Sequence, residues 1–329
     1  MAAVERCLFL VGAPRSGTKL LRGLLGRHPS IGFLPFETGF LPYWQERWRD
    51  FGDLADPIRF SMFVSRAERL PYFDFRRRDG RPPIDAKIWH AACRDDFSPE
   101  GVFRALARLE TNANLKPDLI WADKSPSHLG HVAMLGCLYP GAKFVHIRRD
   151  VRDLALSMQR AWGKDPLRAA ARWRRDLLAV RQAGNALGDR FTEVAYEGLL
   201  ADPETELRRL CAFLDLRFDR AMLTLDRPTE NLGFTKDRPG IVADNAGRFR
   251  THLDPLVWQR VEEIAWPAML ACGYLPERAL NARPLPRLHE RLLRWKDATA
   301  LVRAHVPGRG LAPSVRFVWS SVRSSGVAP

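Results

Sequence analysis

The chain has 329 residues, 46% of them hydrophobic and 27% charged, enough for one large domain or two modest ones around a substantial core. Its 52 Lys and Arg against 38 Asp and Glu leave a formal charge of +14, which points to a polyanionic partner: nucleic acid, anionic lipid or a phosphorylated small molecule. No apolar run approaches the roughly 20 residues of a membrane-spanning helix, so a spanning topology is excluded.

"CLFLVG" opens the chain as a short continuous apolar run, the pattern of a strand buried on both faces of a parallel sheet. "GAPRSGTKLL" follows as a glycine-bearing turn, and Leu20, Leu21, Leu24 and Leu25 repeat at helical spacing until "HP". "SIGFLP" reads as a second strand. Residues 38–117 break the rhythm: they are rich in arginine and aromatics and are expected to form a mostly helical insertion over the sheet's carboxyl edge. Most of those aromatics are expected simply to pack the insertion. The alternation then resumes with "LIWADK" as strand, "SHLGHVAMLGCLYP" as helix, "KFVHIRR" as strand and "VRDLALSMQRAW" as helix. "FTEVAYE" and "PETELRRLCAFLDL" complete it as strand and helix. Strands alternating with helices require a three-layer α/β/α fold with a central parallel sheet.

The composition shifts after "ACGYLP". Residues 276–329 are expected to form a basic extension with one helical stretch, "PRLHERLLRWKDATALVRAHV", while the last dozen or so residues look frayed. Leu288, Leu292, Trp295 and Ala298 share one face of that helix. Such a helix meets a membrane surface or a partner, or packs back on its own domain, which is the commoner outcome. Residues 287–305 are thus the candidate for peripheral membrane contact or self-association. The five cysteines (Cys7, Cys93, Cys137, Cys211, Cys272) are odd in number and never spaced C-x-x-C, and "CLFLVGA" runs into a glycine loop rather than a cleavage site. Buried free thiols in a cytoplasmic protein are expected.

The chemistry starts at Gly12–Lys19. A strand, a glycine turn and a helix aim several backbone N–H groups and a positive helix end at one phosphate. Ser16 and Thr18 can add hydroxyl donors, and Gly17 allows close approach. The ATP-binding loop G-x-x-x-x-G-K-[ST] needs lysine directly after its second glycine, but here Thr18 precedes Lys19 and Arg15 lies inside the loop. Asp123 ends the strand "LIWAD" but is followed by Lys124, so no Mg²⁺-holding aspartate stands out. A second element, "HIRRDVRDLALSM", brings Arg149 off a strand end and Ser157 from the helix that follows. Together they can grip a second phosphate, or their neighbours can pair locally as an exposed charged face.

At this point the residues resemble the sulfotransferases that use 3′-phosphoadenosine 5′-phosphosulfate (PAPS), over roughly residues 6–275. "PRSGT" at Pro14–Thr18 is similar to that family's loop for the 5′-phosphosulfate. Arg149-Asp150-Val151-Arg152 through Ser157 is similar to its 3′-phosphate segment, and "AYEGLLADPETELRRLCAFLDL" to the tyrosine-acidic element beside the adenine, pointing to Tyr196. The resemblance implies a P-loop-like sulfotransferase domain over residues 1–275, a hydroxyl-bearing acceptor, PAPS as donor and no metal. It is closest to the branch with a glutamate base, the protein-tyrosine and several bacterial small-molecule or glycan enzymes. "FLPFETGF" puts Glu37 where that base follows the second strand, and Lys124 in "DKSP" matches a K-[DST]-P segment. Arg15 and Lys124 would neutralise the departing phosphate, and Arg15, Ser16, Gly17, Thr18, Lys19, Arg149, Ser157 and Tyr196 would hold the donor. Arg248 and Arg250 in "NAGRFRTHLDP" resemble a late element that closes over it. One departure is visible: Ala161, with Arg160 beside it, stands where the tyrosine-sulfating branch has a second arginine four residues after the serine.

Two rivals remain at this level. A P-loop kinase would need ATP and Mg²⁺, and the Thr18–Lys19 order opposes it. A nucleic-acid or membrane-binding module would show steep salt dependence and no turnover; no nucleic-acid partner is expected. His128 and His131 have a helical metal spacing but lack further ligands nearby, and His146 reads as a satisfied core residue.

Overall fold

The computed structural model describes residues 6–113, 116 and 118–309, with side chains as far as residue 302. The expected fraying at the C-terminus lies outside the described residues. Five strands form one all-parallel sheet: β1 (Cys7–Val11), β2 (Ile31–Phe33), β3 (Ile120–Lys124), β4 (Ala142–Arg148) and β5 (Phe191–Ala195), in the order β2-β3-β1-β4-β5. Alternate residues of β1 explain its unbroken hydrophobicity, because each face has its own core. Leu8 and Leu10 pack with Val145, Ile147 and Val194 on one side, whereas Phe9 and Val11 join Trp121 and Phe144 on the other.

Helices cover both faces. After β1 comes α1 (Thr18–Leu25). Between β2 and β3 lie α2 (Leu41–Arg47), α3 (Pro57–Ala67), α4 (Pro71–Arg78), α5 (Ala86–Ala92) and α6 (Pro99–Thr111). Phe40, Trp44, Phe60, Phe63, Tyr72, Phe73 and Trp89 are buried among them in edge-on and tilted contacts. α7 (Val132–Leu138) precedes β4, and α8 (Val151–Trp162) and α9 (Pro166–Leu187) separate β4 from β5. Then follow α10 (Tyr196–Ala201), α11 (Pro203–Phe213), the short α12 (Phe249–His252), α13 (Pro255–Ala271) and α14 (Arg287–Arg309). The leucines of α1 and of α11 fill the Leu8 side of the sheet, while α8, α9 and α13 fill the Phe9 side. Two long helices, α9 and α13, were not marked by periodicity. α9 is Ala- and Arg-rich, and α13 carries Pro267 within it.

The start of α8 is tied to α13 by a buried charge hub. The Arg152 guanidinium donates to Asp150 (2.6 Å) and to Glu262 Oε1 (2.7 Å). Glu262, fully buried, also accepts the backbone N–H groups of Glu277, Arg278 and Ala279 and the Trp258 indole. Arg152→Ala strands two buried carboxylates, and the expected cost is about 3–5 kcal/mol of unfolding free energy, measured by denaturant titration. A loss under about 1 kcal/mol would show that the hub is not a structural clamp. Cys7, Cys93, Cys211 and Cys272 are buried and Cys137 is exposed, all as free thiols. Among the described residues no helix is long and apolar enough to cross a membrane.

Candidate active site

The chain leaves β1 toward β2 on one side of the sheet, while β4 and β5 lie on the other. Such a switch point leaves a crevice at the strands' carboxyl ends. A cleft lies there, lined by Arg15 and Gly17 after β1, Arg149 after β4, Tyr196 after β5, and Glu230 and Asn245 from the long connection before α12. Two glycines shape the loop. A Cβ at Gly12 would meet the Ile147 carbonyl at 2.7 Å, and one at Gly17 (φ +99°) would collide with the Tyr196 ring. Arg15 itself sits at φ +73°, a costly conformation for a residue with a side chain, and Ser16 Oγ donates to the Ala13 carbonyl across the turn. Gly17 caps α1 without any side-chain hydrogen bond, so the backbone N–H groups of the first turn keep their positive end toward the cleft.

Arg149 is held in place by the residues around it. Its guanidinium lies 4.4 Å from the centre of the Tyr196 ring, and its two Nη atoms donate to the carbonyls of Arg15 (3.2 Å) and Asn245 (2.7 Å). Asn245 in turn donates from its side chain to the Tyr196 hydroxyl. Arg149 Nε is buried with no hydrogen-bond partner. A buried cation with an unused donor beside an uncapped helix end is a donor set that suits a phosphate. Asp153 accepts the backbone N–H groups of Gly247 and Phe249, which fixes the turn carrying Asn245; burial pushes its carboxyl above the ordinary range.

Arg15 reaches three partners: Ser157 Oγ (3.1 Å), the Leu232 carbonyl (2.9 Å) and Glu230 (2.6 Å). Lys19 also lies 3.5 Å from the Glu230 carboxylate. Glu230 therefore supplies the negative charge against two cations of the loop, a role an anionic ligand would compete for. Glu230→Gln is expected to tighten the binding of adenosine 3′,5′-bisphosphate by roughly threefold to tenfold at low salt. Weaker binding in that variant would instead make Glu230 a group that contacts the nucleotide favourably.

A second cluster forms where β2 and β3 end. Lys124 pairs with Leu10 in the β1–β3 register, placing it at the same sheet edge as the loop. Its ammonium, buried, donates to Glu37 Oε1 at 2.5 Å, while the Glu37 side chain is 53% exposed. Beneath them Asp123 is fully buried. It accepts the Thr38 hydroxyl (2.7 Å) and the Ser125 hydroxyl (3.2 Å), the residues that follow Glu37 and Lys124, and Ser125 Oγ accepts the Thr38 N–H. Arg22 of α1 donates to the Leu34 and Pro35 carbonyls and so braces the Glu37 loop; burial lowers its pKa despite Asp123 and Glu37 nearby.

Arg15, Gly17, Arg149 and Tyr196 thus share the cleft, Ser157 is bonded to Arg15 but is not part of the cleft lining, and Glu37 and Lys124 form a pair of their own. Arg248 and Arg250 do not line the cleft: Arg248 pairs with Asp244 and Arg250 with Glu277, each at 2.5 Å. His146 bonds to Glu193 across the β4–β5 pair, buried as expected, and His128 lies against Asp123. Among the described residues no three His, Cys, Asp or Glu side chains gather as a metal-holding group. Sequence reading missed Glu230, Asn245 and Arg238 of the cleft wall. Their one signal is a Gly- and Pro-containing stretch, residues 224–248, dense in charge and without apolar periodicity.

Comparison with known proteins gives the family and the fold. The model of the family described as the sulfotransferase family matches residues 7–220. A Caenorhabditis briggsae protein provisionally named a protein-tyrosine sulfotransferase is 27% identical over 230 residues, 67% of this chain and 69% of its own length. The nodulation protein NoeE of Sinorhizobium fredii is 29% identical over 236 residues, 63% of this chain but only 49% of that protein. Among solved structures, the sulfotransferase domain from the Synechococcus PCC 7002 olefin synthase shares the fold with a TM-score of 0.51 and 24% identity, covering 80% of this chain and 97% of that one. The sulfotransferase domain from the curacin biosynthetic pathway does so with 0.56 and 20%, covering 83% and 99%. On the family match, the chain belongs to the sulfotransferase family.

Proposed function

We propose that the protein transfers a sulfuryl group from PAPS to a hydroxyl of its acceptor, with Glu37 as the base. The observation that carries the donor reading is Arg149, a cation pinned in the cleft wall by Tyr196, Asn245 and the Arg15 carbonyl beside the loop after β1. In this reading Arg149 and Ser157 hold the 3′-phosphate, and the loop from Arg15 to Lys19 holds the 5′ end. PAPS when bound supplies an activated sulfuryl group on a phosphate leaving group. The acceptor oxygen forms its bond to sulfur as the sulfur–phosphate oxygen bond breaks, and the acceptor proton passes to Glu37 Oε. Lys124, 2.5 Å from Glu37, orients that carboxylate and carries positive charge toward the leaving group. Arg15 adds a second cation there once Glu230 gives way. The counter-charge comes from side chains, so turnover is expected to persist in a chelator. The aromatic insertion over 38–117 is the candidate wall for the acceptor.

Incubation with sulfur-labelled PAPS and a panel of sugar, phenol and lipid hydroxyls, in EDTA and in Mg²⁺, tests the reading. Label transfer to an acceptor in EDTA supports it. Transfer from γ-labelled ATP in Mg²⁺, with none from PAPS, would replace it with phosphoryl transfer.

A further inference from the structure

α14 has two faces, and among the described residues only one of them docks on the rest of the fold. At 100° per residue, Glu290, Leu293 and Asp297 fall on one side, and that side is docked. Leu293 is buried, Glu290 pairs with Arg175 (2.9 Å), and Asp297 pairs with Arg168 (2.5 Å) and accepts the Asp165 N–H (2.8 Å). The opposite side carries Leu288, Leu292 and Trp295, which are 71%, 62% and 63% exposed. Arg287 and Arg291, both exposed, border this stripe without a carboxylate partner among the described residues, and Lys296 on its other border pairs with Asp165 (3.1 Å). Glu290 and Asp297 are the only acidic residues in the sequence of α14, and both are spent on the docked side. The outer face is therefore apolar and cationic, and no acidic residue of α14 lies on it.

We propose that this face, Leu288, Leu292 and Trp295 with their flanking arginines, seats the protein on an anionic lipid surface. A large apolar stripe on a basic helix gains from burying leucine and tryptophan at the headgroup boundary while the arginines meet anionic headgroups. A second copy of the chain fits poorly, because a two-fold contact through this face would bring arginines together with no carboxylate between them. α14 is too polar to span a bilayer, so the contact is peripheral. The chain's net charge of +14 favours the same encounter at long range. This inference stands independently of the donor reading.

The test is co-flotation of the full chain with phosphatidylcholine–phosphatidylglycerol vesicles and with pure phosphatidylcholine vesicles. Binding is expected to be roughly tenfold or more stronger to the anionic vesicles and to weaken as salt is raised. Leu292→Ser/Trp295→Ser is expected to lose about tenfold or more of that binding, whereas Leu256→Ser, at an exposed leucine on α13, keeps it. Arg287→Ser/Arg291→Ser should erase the preference for anionic vesicles, and it keeps the test open if the first pair fails to fold. Equal binding to both vesicle types overturns the proposal, as does undiminished binding by a folded Leu292→Ser/Trp295→Ser variant. A concentration-dependent dimer in sedimentation velocity, lost in that variant, would put a second copy on the stripe and overturn it too. Bisphosphate affinity should be unchanged in every one of these variants, which separates this outcome from failure of the donor reading.

Discussion

Glu37→Gln is expected to lower kcat by roughly a hundredfold to ten-thousandfold while leaving bisphosphate affinity within about twofold. The substitution is chosen for its geometry. The amide oxygen of Gln can still accept from Lys124, now at 2.5 Å from the carboxylate, so the buried ammonium keeps a partner and the loop keeps its brace. Thr38, whose N–H and hydroxyl are held by Ser125 and Asp123, anchors the backbone on the other side of position 37. What the variant loses is the ability to take a proton. Single-turnover measurement with saturating donor reads this directly. A variant with near-normal kcat would remove Glu37 from the chemistry and leave it as Lys124's ion-pair partner alone.

Arg149→Ala is expected to weaken bisphosphate binding by roughly a hundredfold, about 3 kcal/mol, the scale of a charge-assisted bond to phosphate lost from a buried site. Donor KM should rise with it. Arg149 also holds the Asn245 and Arg15 carbonyls, so the alanine variant loosens the loop as well. Arg149→Lys separates the two effects. It keeps the charge but loses the forked geometry and the stacking on Tyr196, and an intermediate loss is expected, with thermal stability closer to wild type. Equal bisphosphate affinity in wild type and Arg149→Ala would place the nucleotide elsewhere.

The sheet was legible because burial on both faces leaves strands such as β1 with no polar interruption, a pattern that local sequence carries by itself. The loop after it was legible for a similar reason, since glycines at close approaches and a cation inside the turn are local requirements. The neighbouring arginines of "RRDVRD" show where local reading stops. Arg149 turns into the cleft, whereas Arg152, three residues on, turns to Glu262 on α13, a partner 110 positions away. Nothing in the spacing separates those fates. The same holds for residues 224–248, which lack regular periodicity and bring Glu230 to the cleft through Arg15 and Asn245 through Arg149 and Tyr196. α14 was legible as an amphipathic helix, yet the face that docks is the one where Leu293 is flanked by the Asp297–Arg168 and Glu290–Arg175 pairs, not the Leu288, Leu292 and Trp295 stripe.

Calorimetric titration of the protein with adenosine 3′,5′-bisphosphate, with ATP–Mg²⁺ as the comparison, tests the central claim most directly. The account predicts tight, saturable binding of the bisphosphate at one site per chain and much weaker binding of ATP–Mg²⁺. No binding of the bisphosphate, or a clear preference for ATP–Mg²⁺, would contradict it.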